Sequence, residues 1–181
     1  MNKVHGMKSD YSPVRNDATR TVVCYHQESV DENTATWLEV YLPHKKYPNV
    51  GLKEVKEAII ADINARTRDA IVTGLVYADN DNIERTVWLS TENQHNYAES
   101  HRKAVLKGSK NYQPVTIKIG EDANGNACYR TFDTLTDFSD FIFAIDDHIT
   151  ACLNTGYAEK DGIDWTPYEA LYPVTENSNN G

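Results

Sequence analysis

The hydrophobic positions of this chain change period several times. Residues 34–43, TATWLEVYLP, set Trp37, Glu39 and Tyr41 against Leu38, Val40 and Leu42, the period-two signature of a strand. The run TRTVVCYH over 19–26 is rich in β-branched and aromatic residues. Two strands joined by the polar connector 27–33 are therefore predicted, and Pro43 and Pro48 bracket the loop that follows, because proline cannot donate to a ladder. From about 51 to 72 the period becomes helical. Leu52, Val55, Ile59 and Ile63 advance by three and four residues, an amphipathic helix, with Gly74 placed where a helix C-terminus favours a left-handed residue.

Two short apolar runs, 75–77 and 86–89, then flank Asp79, Asn80, Asp81 and Asn82, a hairpin signal. Thr91 with Gln94 forms a capping-box signature, and Tyr97, Ala98, His101, Ala104 and Val105 trace a thin helical face ending near Gly108. The same order recurs: a strand in PVTIKIG, a turn at Asn124-Gly125, a second strand, and a helix start at Thr134 and Asp137. The last helix has the strongest period in the chain. Leu135, Phe138, Ile142, Ile145, Ile149 and Cys152 step by three and four to about Asn154, with Gly156 as its predicted cap.

The expected fold class is α+β, with antiparallel β-hairpins alternating with three helices. Residues 1–18 are polar and without period, so they read as an extended N-terminal arm. The remaining predicted divisions are a β-hairpin region at 19–48, an α+β domain at 49–165 and a C-terminal tail at 166–181. The heptad-like seam of the last helix reads as a core face against a sheet, with self-association as the alternative.

Charge narrows the partners. Lys plus Arg is 18 against 27 Asp plus Glu, a net charge of −9, which argues against nucleic acid or an acidic membrane surface. The charge is polarised: the arm to Arg20 carries four Lys/Arg residues, whereas the last 25 residues are acidic, so the two ends read as differently charged docking ends. Three cysteines without a C-x-x-C pair fit a reduced place of synthesis, no window approaches a membrane span, and no apolar leader opens the chain.

The candidate chemistry is thin. Asp146, Asp147 and His148 are adjacent on a helix, where neighbouring side chains diverge by about 100°, so they mark a solvated face. His44, His95 and His101 lack zinc spacing. Asp122, Asn124, Asn126 and Asp133 partly match a calcium loop, but Ala127 stands at the glycine position and a turn is the better reading. No nucleophile elbow or phosphate loop occurs, and Cys24, Cys128 and Cys152 read as structural thiols. No catalytic, cofactor-binding or metal residue is therefore assigned, and no enzyme is expected. The eleven tyrosines and three tryptophans are many for this length, and such residues anchor interfaces. Trp165, Tyr168, Leu171 and Tyr172 are the candidate partner-docking residues; the alternative is that this segment folds back over its own domain.

Within 50–165, the helix ending AIVTG, the segment VWLSTENQHNY, the strand PVTIKI and the stretch HITACLNTGYAEKDGID together resemble a domain of unknown function found in tail, fibre and accessory structural proteins of bacteriophages and prophages. The resemblance is most specific at 87–97 and 148–164. It implies a virion structural component of the crAss-like gut phage kind, made in the bacterial host cytoplasm, and it brings no catalytic residues with it. The expected function is a small head-fibre or tail-fibre attachment subunit that docks on capsid, tail or fibre proteins and forms a homo-oligomer. The alternatives are a carbohydrate-binding module at a tail tip, or a cell-wall hydrolase.

Overall fold

The computed structural model describes residues 2–173, so the predicted tail lies outside the described residues from 174 onward, as does Met1 of the arm. The fold is α+β, helices alternating with antiparallel strands. The chain divides into two compact units, one built from residues up to Arg66 with those from Tyr157 onward, the other from Thr67–Gly156. The division falls inside two helices rather than at the predicted 48/49 and 165/166 boundaries.

In the first unit, β1 (Asn2–Met7), β2 (Val14–Asn16), β3 (Arg20–Ser29) and β4 (Thr34–Pro43) form an antiparallel sheet in the order β1-β4-β3-β2. The predicted arm is thus not an unstructured extension: it supplies both edge strands of the sheet. It escaped notice because an edge strand needs few apolar residues: β1 sets Val4 opposite Trp37 and Gly6 opposite Ala35. Gly6 is required by proximity, since a Cβ there would stand 2.8 Å from the Trp37 indole. Three of the four cations to Arg20 are also engaged. Lys3 pairs with Glu28, Arg15 with Glu39 and Arg20 with Asp17, so this end is not a free basic arm.

The alternation in β4 sorts the two faces. Val23, Tyr25, Leu38 and Leu42 pack on Val55, Ala58, Ile59 and Ile63 of α1 (Leu52–Thr73). Val22, Cys24, Ala35 and Trp37 form the core of the opposite face with Val4, Tyr11 and Tyr41. Glu39 lies on that second face and is 6% exposed, a position a carboxylate holds only when paired. It accepts from Trp37 Nε1 at 3.0 Å, Arg15 Nη2 at 2.6 Å and the Tyr41 hydroxyl at 3.0 Å. Burial pushes its pKa up, but these hydrogen bonds and the Arg15 charge more than offset that and hold the carboxyl below its ordinary value.

In the second unit, the hairpin β5 (Val76–Ala78) and β6 (Glu84–Thr86) precedes α2 (Thr91–Lys107), and the hairpin β7 (Val115–Glu121) and β8 (Ala127–Phe132) precedes α3 (Leu135–Asp161). Each hairpin is its own two-stranded sheet. Both are too small to be stable alone and are held by a shared core of Val87, Leu89, Ile119, Phe132, Phe138 and Phe141 with their neighbours. Tyr77 and Tyr97 meet the Phe141 ring edge-on at 4.9 and 5.7 Å, contacts worth about 0.5–1.5 kcal/mol each beyond area. The α3 seam is the core face, with Phe138, Phe141, Ile142 and Ile145 buried.

Three helix-end expectations are corrected. The α2 cap is Ser90, one residue before the predicted Thr91, its hydroxyl accepting from Asn93 N at 3.2 Å. Gly74 is absent from the positive-φ residues; it is needed for space, since a Cβ would lie 2.9 Å from His148 Cε1. Gly156 does not end α3, which continues to Asp161. It is a buried contact point at which a Cβ would collide with the Thr67 hydroxyl.

Candidate functional site

An open groove of about 780 Å³ runs beside α2 and β7 in the second unit. Its most exposed apolar wall is Trp88, at 58% exposure. Alternation puts the indole there. Val87 N donates to Leu75 O at 2.8 Å and Leu89 N to Val72 O at 2.9 Å, and both side chains are fully buried, so the residue between them must face outward. Asn93 Nδ2 donates to Trp88 O at 2.8 Å, tying the first turn of α2 to the same segment. Trp88 is therefore presented on a fixed backbone.

The facing wall comes from α2 and β7. Asn93, Asn96, Tyr97 and Ser100 line it at helical spacing, with Thr86 and Thr116 at its strand side. Tyr97 donates to Lys118 O at 3.4 Å, and burial raises its pKa. The charged groups of the groove are Lys118 and Glu121, joined at 2.6 Å; the bond to Glu121 raises the Lys118 pKa. The groove thus combines amides and hydroxyls with the apolar side chains of Val115 and Ile117 and two aromatic residues, Trp88 and Tyr97, and its two charges are paired.

The predicted docking residues are placed differently. Tyr168 is 3% exposed and donates to Cys24 O at 2.6 Å, and burial drives its pKa far up. It sits on α4 (Thr166–Glu169), a single turn held by Lys56 Nζ donating to Glu169 Oε1 at 2.7 Å. Trp165 and Tyr172 are half-buried against the same core. Leu171 alone is exposed, at 51%. This segment folds back over its own unit, because a phenol with a buried acceptor gains more there than at a wet surface, so Tyr168 presents no docking face. Trp88 was missed by the sequence reading. Its signal was the alternation Val87-Trp88-Leu89, an aromatic between two aliphatic residues.

The other candidates do not converge. Asp146 and Asp147 are exposed, while His148 Nε2 lies 3.1 Å from Ala70 O and 3.2 Å from Ile71 O at the end of α1. His101 contacts Ser139 Oγ at 2.8 Å, and that hydroxyl donates to Leu135 O. The Asp122 carboxylate accepts from Asn124 N, Asn126 N and Asn126 Nδ2, closing a turn at Gly125 with φ 81°. Among the described residues no group of three or more His, Cys, Asp or Glu side chains could hold a metal, and no helix is long and apolar enough to cross a membrane. Cys24 is buried, its thiol pushed up to about 11 by burial.

Compared with known proteins, the chain matches no family model, no curated protein and no solved structure.

Proposed function

We propose that this chain is a non-enzymatic structural subunit of a bacteriophage particle, a small head-fibre or tail-fibre attachment protein that works by docking, with the groove beside α2 as its recognition face. The observation that carries the reading is Trp88, a large apolar side chain held outward by two fully buried neighbours. Leaving an indole in water forgoes stabilisation that burial would give, and an exposed aromatic in a concave setting with polar neighbours suits a binding anchor. The phage placement rests on the resemblance at 87–97, the segment that supplies Trp88, Asn93, Asn96 and Tyr97 to the groove. Pairing of Lys118 with Glu121 suits recognition more than proton transfer, which needs a group free to gain or lose a proton at the ligand.

The partners under this reading are other virion proteins and further copies of the chain, with nucleic acid and membrane disfavoured by the net charge of −9. Mass spectrometry of purified particles tests the placement. The chain is expected there at a fixed ratio to the capsid protein; absence from particles that carry the other structural subunits overturns it.

A further inference from the structure

We propose that the groove beside α2 binds a neutral oligosaccharide, with the Trp88 indole as the platform on which one sugar ring lies. This goes beyond the docking reading above, in which virion proteins are the partners, and rests on the groove being a recognition face. A pyranose has an apolar C–H face and an equatorial rim of hydroxyls that both donate and accept. The groove offers the matching pair. One aromatic side chain projects outward from a backbone pinned on both sides, which limits what must be ordered on binding. Around it stand Asn93, Asn96, Ser100 and Thr86, groups that can both donate and accept. The side chains of Asn96, Ser100 and Thr86 have no hydrogen-bond partner among the described residues, and Asn93 is held through Nδ2, leaving its Oδ1 as an acceptor.

Charge selects a neutral ligand. Lys118 and Glu121 neutralise each other at 2.6 Å, so an acidic sugar or a nucleic acid strand would meet no uncompensated cation in the groove, and the chain carries −9 overall. The volume of about 780 Å³ lies within the usual range for ligand clefts, and the groove is open to solvent.

An extended peptide adding to the edge of β7 is the competing occupant, and the geometry disfavours it. Strand addition needs a row of free edge donors and acceptors. Tyr97 already bonds Lys118 O at 3.4 Å, and β6 crosses close to the strand at Gly120, where a Cβ would stand 3.1 Å from Thr86 O.

The test is isothermal titration of the full chain with neutral tetrasaccharides of glucose, mannose, galactose and N-acetylglucosamine, alongside sialyllactose and an extended alternating polar-apolar octapeptide. At least one neutral tetrasaccharide is expected to bind with a Kd of about 1 mM or tighter, with an affinity unchanged by added salt. Trp88→Ala and Asn96→Ala are each expected to weaken it by about fivefold or more, while Trp88→Phe retains most of it and circular dichroism stays that of the parent. No binding by any neutral sugar at about 10 mM, full affinity in Trp88→Ala, or binding of only the peptide or the acidic sugar overturns the proposal. A chain present in particles that binds no neutral sugar sinks this inference alone. One that binds sugar through Trp88 but is absent from particles sinks the phage placement and leaves the inference standing.

Discussion

The hydroxyl of Tyr168 donates a 2.6 Å hydrogen bond to the backbone carbonyl of Cys24, 144 residues earlier in the chain. That bond ties the C-terminal turn to the central strand β3, and the Tyr11 hydroxyl reaches the same carbonyl at 3.4 Å. Tyr168→Phe should lose about 1 kcal/mol for the hydrogen bond, and Tyr168→Ala about 3–5 kcal/mol for the emptied site. Urea unfolding of the two variants checks this. A Tyr168→Ala protein as stable as the parent would return this residue to the role of an outward docking group.

Gly156 of α3 and Thr67 of α1 meet in close contact within the second unit. Gly156→Ala should destabilise by about 1–3 kcal/mol through overpacking, even though alanine is the better helix former. Thr67→Ala in the same chain should restore much of the loss, because the added methyl group would then occupy the space of the removed hydroxyl and methyl groups. Thermal unfolding of the two single variants and the double variant measures the coupling; purely additive losses would contradict the contact.

The Glu39 cluster predicts a pH dependence with a definite sign. The folded-state pKa lies below the ordinary value of 4.5, so the unfolded state binds protons more readily. The contribution of Glu39 is therefore complete above about 4.5 and is lost as pH falls through the depressed folded value. Urea midpoints measured from pH 7 down to pH 3 should fall. In Glu39→Gln the midpoint at pH 7 should already be lower, because Arg15 loses its 2.6 Å partner, and its further fall below pH 4.5 should be shallower than in the parent. An identical slope in the two proteins would show that Glu39 is not the titrating group.

These tests bear on positions that differ in how much of their role was visible in the sequence. The α3 core face was legible, since Phe138, Ile142 and Ile145 repeat at helical spacing, and so was the two-sided alternation of β4, because both depend on local period alone. The roles of β1 and Tyr168 were hidden. Each is decided by a partner far along the chain, Trp37 for Gly6 and Cys24 for Tyr168, and no local pattern encodes such a pairing. Gly156 misled for a related reason: a glycine required by a neighbouring helix looks in sequence like one required by a cap. In the groove, α2 and its polar residues were legible as a weakly apolar helix. The alternation Val87-Trp88-Leu89 hinted at an outward Trp88, but its direction is decided by Leu75 and Val72, whose carbonyls pin Val87 and Leu89.

Trp88 should be dispensable for folding. It is exposed on a backbone fixed by its neighbours, so Trp88→Ala is expected to change stability by no more than about 0.5 kcal/mol. Chemical denaturation gives the value. A loss of several kcal/mol would place the indole in the core and remove the basis for a presented aromatic.

The most direct measurement of the recognition claim follows the three tryptophan indole N–H signals of the ¹⁵N-labelled full chain during titration with the neutral tetrasaccharides. Trp37 is buried and donates to Glu39 at 3.0 Å, Trp165 is half-buried in the first unit, and Trp88 faces the groove. The Trp88 signal, assigned by its disappearance in Trp88→Phe, is expected to shift progressively and saturate while the other two stay in place. A fixed Trp88 signal with every sugar, or movement of Trp165 or Trp37 in its stead, would contradict the recognition claim.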